Sequence, residues 1–352
     1  MEPDHGHIPV LPAACLDALH PSAGQHVLDV TVGRGGHAAL LIPHLGPGGR
    51  YTGLDTDPQN AAYATDRLRP VAAAHGVDLA IHHANFRELA PGHPALGDWP
   101  AVDGLLGDLG FASNQIAAEA RGLSFKQDGP LDMRLDTSSP DAATAADLVN
   151  DLPQDDLANL IYRYGEERLS RRIARKIVEQ RAAGPILTTG ELARTVRAAY
   201  PRRPQGKARR PPGRGRQRDP KAAGKAAGRT TARSGPGRGL DPATRTFQAL
   251  RIAVNGELDA LDHLLDILPR LIRPGGRAAL ISFHSLEDRP IKRRFQQLEQ
   301  AGLGQRLNRK PRIADGIEQH DNPRSRSAKL RAFSFEPQPG TASPPPPPWP
   351  PA

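Results

Sequence analysis

Asp29-Val30-Thr31-Val32-Gly33-Arg34-Gly35-Gly36-His37 is the stretch on which the fold turns. A short apolar run, 25–30, ends in an acid and meets a glycine-rich step. Glycines directly after a strand let the backbone approach a ligand closely, because they lack a Cβ and tolerate left-handed conformations. Downstream, 38–45 reads as a helix that Gly46-Pro47-Gly48-Gly49 stops. A second strand follows at 50–55, an alanine-rich helix at 60–74, a third strand at 79–83 and a fourth at 102–108. Alternating strands and helices predict a parallel, doubly wound α/β sheet.

The pattern then changes. Residues 117–200 show no strand periodicity, and helices are expected at 155–164, 169–183 and 189–200. Helix returns over 242–271, and Gly275-Gly276 turns into a strand at 277–283 that rejoins the same sheet. The expected division is therefore a discontinuous sheet domain, 1–115 and 241–336, interrupted by an all-helical domain at 116–200. A low-complexity linker at 201–240 and a proline-rich tail at 337–352 are expected to be disordered.

Charge is unevenly placed. The chain of 352 residues carries a formal +9. Residues 201–239 alone hold 13 Lys and Arg against one acid, and 289–331 hold 12 against four, so the remainder is acidic. Such segregation predicts an anionic partner. The insert has no aromatic residue for base stacking, so it is expected either to add sequence-blind attraction or to serve as a neutral spacer. The single cysteine, Cys15, allows no internal disulfide and lacks the companions of a zinc site, which points to a reducing, cytoplasmic compartment and no metal. No signal peptide and no membrane-length apolar run is visible.

The glycine turn leaves two cofactor chemistries open. Asp55 ends the second strand 22 residues after Gly33, placed to accept hydrogen bonds from ribose hydroxyls. Gly33-x-Gly35-x-x-Ala38 with that acid also fits a dinucleotide fingerprint, so a hydride-transferring dehydrogenase competes on this turn alone. Two features favour S-adenosylmethionine. Asp29 before the turn would repel a pyrophosphate but suit a positively charged methionine end. Asp108-Leu109-Gly110-Phe111 puts a carboxylate at the end of the fourth strand, where open sheets bind ligands.

Longer motifs then run in order from residue 7 to 331: His7-Ile8-Pro9-Val10-Leu11, the 32–37 turn, Asp108-Leu109-Gly110, Arg121-Gly122-Leu123-Ser124-Phe125 and Asp128-Gly129-Pro130-Leu131-Asp132-Met133-Arg134. Ala243-Thr244-Arg245-Thr246-Phe247-Gln248-Ala249-Leu250-Arg251-Ile252, Ser282-Phe283-His284-Ser285-Leu286-Glu287-Asp288 and Asn322-Pro323-Arg324-Ser325-Arg326-Ser327-Ala328-Lys329-Leu330-Arg331 complete the series. In these the chain resembles the bacterial small-subunit (16S) ribosomal RNA cytosine-N4 methyltransferases. The resemblance implies a Rossmann-like class I methyltransferase sheet with an inserted helical domain. It implies S-adenosylmethionine as cofactor and 16S ribosomal RNA, within the small subunit, as partner. By position, Gly35, Gly36 and His37 would line the methionine part, Asp55 hold the ribose and Phe86 lie by the adenine, with Asp108 and Gln115 completing the site. The chain departs from the family after Asp-Leu-Gly, where Phe111-Ala112-Ser113-Asn114 replaces a Val-Ser-Ser-Pro step, and in the length and basicity of its insert.

Methyl transfer to an aromatic amine needs acceptors for the amine protons, because the lone pair is delocalised into the ring. Asp108 is the expected catalytic residue. His284, at the end of the next strand, is expected to face the same cleft, where it could touch base or phosphate or equally fix the 286–288 turn by hydrogen bonds. Arg324, Arg326, Lys329 and Arg331 are expected to hold the RNA backbone. Asp132 and Arg134 fit either an internal ion pair or an RNA contact. A basic ribosome-assembly protein that no longer catalyses is the rival reading from another class.

Overall fold

A computed structural model describes residues 8–90, 92–97, 101–111, 115, 121–139, 141–201 and 241–336. The expectations for 116–120, 202–240 and 337–352 lie outside the described residues. The strands are β1 (His26–Asp29), β2 (Arg50–Asp55), β3 (Asp78–His83), β4 (Val102–Asp108), β5 (Ile272–Ser282), β6 (Gly304–Arg306) and β7 (Lys329–Phe335). They form one sheet in the order β3-β2-β1-β4-β5-β7-β6. Neighbours from β3 through β5 pair in parallel, whereas β7 runs antiparallel to both β5 and β6. That order is the Rossmann-like sheet of class I methyltransferases. The chain leaves the centre in one direction from β1 and in the other from β4, so a crevice opens at their carboxyl ends.

Side-chain alternation builds a core on each face of the sheet. Leu106, Ala279 and Ile281 pack on one side with Leu41 and Leu68 of α2 (Gly36–Leu45) and α3 (Pro58–His75); α1 (Pro12–Leu19) adds Cys15 and Leu19. Leu105, Ala278 and Leu280 pack on the other with Leu264 and Leu268 of α9 (Glu257–Leu271) and Ile291 and Phe295 of α10 (Ser285–Gln300). A third core joins α4 (Ala145–Asp151), α5 (Gln154–Gly165), α6 (Ser170–Arg181), α7 (Thr189–Ala198) and α8 (Ala243–Asn255). Capping boxes, Thr144 with Asp147 and Thr188 with Glu191, start α4 and α7. A short α11 (Gly316–Asp321) precedes β7.

Several sequence expectations change here. The helix expected over 242–271 is two helices, parted at Gly256, which adopts φ +59°. α8 buries Ala243, Phe247 and Leu250 in the helical core, so the chain completes that layer before it returns to the sheet. β5 begins at Ile272, and the register shifts between the Val102–Ile272 and Gly104–Arg277 pairs. Gly275, at φ +84°, permits the irregular step. Among the described residues, no helix is long and apolar enough to cross a membrane.

Candidate active site

The crevice holds a cavity of about 450 Å³. Gly33, Gly36 and His37 line it from the β1–α2 turn, Asp55 from β2, Phe86 from the turn after β3, and Asp108 from β4, with Gln115 beyond. Phe111, Arg251, Glu257, His284, Glu287 and Arg324 line its other half.

The glycine turn is held from behind. Gly35 adopts φ +79° as the residue before α2, and a Cβ there would stand 3.0 Å from the Leu68 side chain. It shapes the turn rather than lining the cavity. Gly33 N–H donates to Asp55 Oδ2 at 2.8 Å, and Asp57 N–H donates to Asp55 Oδ1 at 2.8 Å. Burial pushes the Asp55 carboxyl up to about 6, against the pull of those two donors. Asp29 departs from its expectation. It is 1% exposed, its oxygens accept from Thr31 N–H at 3.0 Å and Tyr51 O–H at 2.7 Å, and it is absent from the cavity wall among the described residues. Its carboxylate braces the turn, which leaves Asp55 and Asp108 as the aspartates on the cavity wall among the described residues.

Asp108 N–H donates to Thr31 Oγ1 at 2.6 Å, which fixes β4's end against the turn. Its Oδ2 lies 3.7 Å from His37 Nε2. Burial disfavours the imidazolium, yet hydrogen bonding to Asp108 and Cys15 lifts His37 well above its ordinary value. Asp108 Oδ1 is covered and has no hydrogen-bond partner. Gln115 is 3% exposed and donates to Asp57 Oδ2 at 2.9 Å. Arg121 pairs with the same buried Asp57 at 2.9 Å, tying the segment after β4 to the start of α3.

On the far side, Arg251 forks Glu257 at 2.7 and 2.8 Å, and its guanidinium lies 4.4 Å from the centre of the Phe111 ring. His284 Nε2 is 3.1 Å from Glu287 Oε1, while Glu287 Oε2 accepts from Phe283 N–H at 2.8 Å. Burial raises the Glu287 carboxyl, but His284 and the Phe283 N–H outweigh it and hold the group below its ordinary value. Donor atoms of Glu257, His284 and Glu287 fall within 4.8 Å of one another, although Arg251 already occupies both Glu257 oxygens.

The basic stretch divides. Arg324 is half-buried on the cavity wall, where burial lowers its pKa and Asp108 works the other way. Arg326 is exposed. Lys329 Nζ stands 3.8 Å from Asp288. Arg331 corrects the expectation of an RNA contact: it is 6% exposed on β7 and forks Asp288 at 2.7 and 3.2 Å. Asp132 and Arg134 form an internal pair at 2.8 Å.

Sequence reading missed Arg251, Glu257 and Glu287. The spacing His284-Ser285-Leu286-Glu287 carried a usable signal, an acid three residues after a helix-starting position.

The cavity suits a cationic, adenosine-bearing cofactor. It offers an acid at the end of β2, an aromatic ring after β3 and an unsatisfied carboxylate oxygen at the end of β4. With the strand order, these features define a methyltransferase that uses S-adenosylmethionine. The chain belongs to the MraW methylase family, whose profile matches residues 4–336. It is 44% identical over 328 residues to "Ribosomal RNA small subunit methyltransferase H" of Sorangium cellulosum, covering 93% of this chain and 90% of that one. The protein of the same name from Deinococcus radiodurans is 43% identical, covering 94% and 89%. A solved putative rRNA-methylase from Clostridium thermocellum aligns over 93% of this chain and 98% of its own, at 11% identity and a TM-score of 0.40. Family membership removes the dinucleotide alternative.

Proposed function

We propose that the chain methylates the exocyclic N4 amine of a cytosine in the decoding region of 16S ribosomal RNA, acting in the cytoplasm on the small subunit. The observation that carries this reading is the orphaned Asp108 Oδ1 at the end of β4, on a residue that lines the cavity beside the glycine turn. The relatives' name supports the RNA class, and the motif series resembling the cytosine-N4 family supports the atom.

The roles follow from placement. Gly36 and His37 hold the methionine end, with Gly35 setting the turn that presents them. Asp55 accepts from the ribose, Phe86 packs by the adenine, and Gln115 closes the site. The cofactor supplies a methyl group already activated on a sulfonium, so positioning does most of the work. Asp108 Oδ1 accepts one N–H of the target amine and orients its lone pair toward that methyl group. Arg326 and Lys329 hold RNA backbone at the rim, and Arg324 reaches the nucleotide inside it. The helical layer of α4 to α8 is proposed as the inserted unit that walls the target side.

If Asp55 must be ionised to bind ribose, then with its carboxyl raised to about 6 the cofactor affinity falls about tenfold per pH unit below that value. Calorimetry from pH 7.5 to 5 checks this, and a flat profile removes Asp55 from the role. The function itself is tested by incubating the enzyme with labelled S-adenosylmethionine and unmethylated small subunits. Label is expected in N4-methylcytidine. Cofactor binding without transfer to any RNA would instead favour an assembly protein.

A further inference from the structure

An aromatic amine presents two N–H groups, and this cavity carries two side-chain acceptors in need of a donor. Asp108 Oδ1 is one. His284 is the other: its Nδ1 is covered and has no hydrogen-bond partner, while its Nε2 stands 3.1 Å from Glu287 Oε1. Buried polar atoms in a native fold are rarely left so, and on a cavity wall a ligand is the economical explanation. The two residues end adjacent strands. Asp108 pairs with Ile281, Leu109 N–H donates to Ile281 C=O at 3.0 Å, and a Cβ on Gly110 would meet the Phe283 ring at 3.4 Å. The two acceptors are therefore brought to one lip of the sheet.

We infer that His284 is a second catalytic residue, which together with Asp108 clamps the target amine and takes its proton. This rests on the proposed cytosine reading. Glu287 sets the tautomer. Its Oε1 faces Nε2 at 3.1 Å and accepts that N–H, while its Oε2 is fixed by the Phe283 N–H. Nδ1 is left with its lone pair. During transfer the N4–methyl bond forms and the sulfur–methyl bond breaks, its electron pair staying on sulfur. The proton released from N4 passes to Nδ1, and the imidazolium so formed is stabilised by Glu287 until it loses the proton to water. His37 does not compete for this role, because its Nε2 is turned to Asp108 Oδ2, 3.7 Å away on the glycine-turn side. The other charges around His284 are Glu257 with Arg251, and Arg324. The clamp also rejects uracil, whose O4 offers no hydrogen to either acceptor.

The test uses the full enzyme, small subunits and single-turnover transfer across pH, for wild type, His284→Gln and His284→Ala. Loss of about 10²-fold is expected in both variants, with the acid limb of the pH profile abolished and partial rescue of His284→Ala by added imidazole. Calorimetric affinity for S-adenosylhomocysteine should stay unchanged. Independently of activity, the imidazole nitrogen resonances of His284 should shift when cytidine, but not uridine, is added to the S-adenosylhomocysteine complex. Rates within threefold of wild type with an unchanged pH profile would overturn the assignment. So would a loss that imidazole does not rescue and that leaves the pH profile intact. Inactivation by a chelator, reversed by a divalent cation, would overturn it in favour of a metal held by Glu257, His284 and Glu287. If wild type methylates some other atom, the cytosine reading falls as well; unchanged variants of a cytosine-active wild type remove only the clamp.

Discussion

Replacing Asp108 by alanine lowers the transfer rate about 10³-fold while leaving the fold and the affinity for the RNA particle near wild type. The size follows from what the carboxylate does alone. Among the described residues, Oδ1 is the one covered carboxylate oxygen at the β4 end without a partner, so truncation removes an acceptor that no described neighbour replaces. The amine then keeps its lone pair in the ring, and the barrier rises by the cost of localising it. Stability should change little beyond what the buried His37 loses with the carboxylate 3.7 Å away, because the backbone contact that anchors this point is Asp108 N–H to Thr31 Oγ1, which alanine retains. Asp108→Asn should also fail, since an amide turned to donate opposes an N–H. Single-turnover kinetics with denaturant melts separate the two effects. Near-normal turnover in a folded Asp108→Ala protein removes the residue from the chemistry.

Replacing Arg121 by alanine destabilises the protein by about 3 kcal/mol or more. Its guanidinium pairs with Asp57, whose side chain is fully buried, so the substitution strands a charge rather than merely deleting a contact. Asp57 also caps α3 through Gln59 N–H and accepts from Gln115. Its own N–H supports Asp55. Damage at residue 121 should therefore reach Asp55, the proposed ribose acceptor, and cofactor affinity should fall with stability. Urea unfolding at constant m-value measures the first and calorimetry the second. A loss below 1 kcal/mol would show that Asp57 finds another partner or a proton.

How much of this was readable in advance varied with how local the cause was. β2 and β4 were placed to the residue, since their apolar runs are bounded by glycines and acids close in sequence. The same pattern put Asp55 and Asp108 at the ends of β2 and β4, whereas roles for Gly36 and His37 came only from the family resemblance. β7 was not seen. Lys329-Leu330-Arg331-Ala332-Phe333 resembles a charged surface run until Asp288, 43 residues earlier, is brought against Arg331. Asp29 was misread for the same reason: its partner Tyr51 belongs to the next strand, and only the register places the phenol over the carboxylate. The Arg251–Glu257 fork spans the break at Gly256, which a continuous helical periodicity concealed. In each case the local pattern gave the element, and a non-local partner decided which way the side chain served.

The most direct measurement is nucleoside mass spectrometry of 16S ribosomal RNA from cells lacking this protein, complemented with wild type or with Asp108→Ala. The account predicts that N4-methylation of one decoding-region cytosine is absent without the protein, returns with wild type and stays absent with the variant. Methylation that persists in the deletion, or that the variant restores in full, would contradict it.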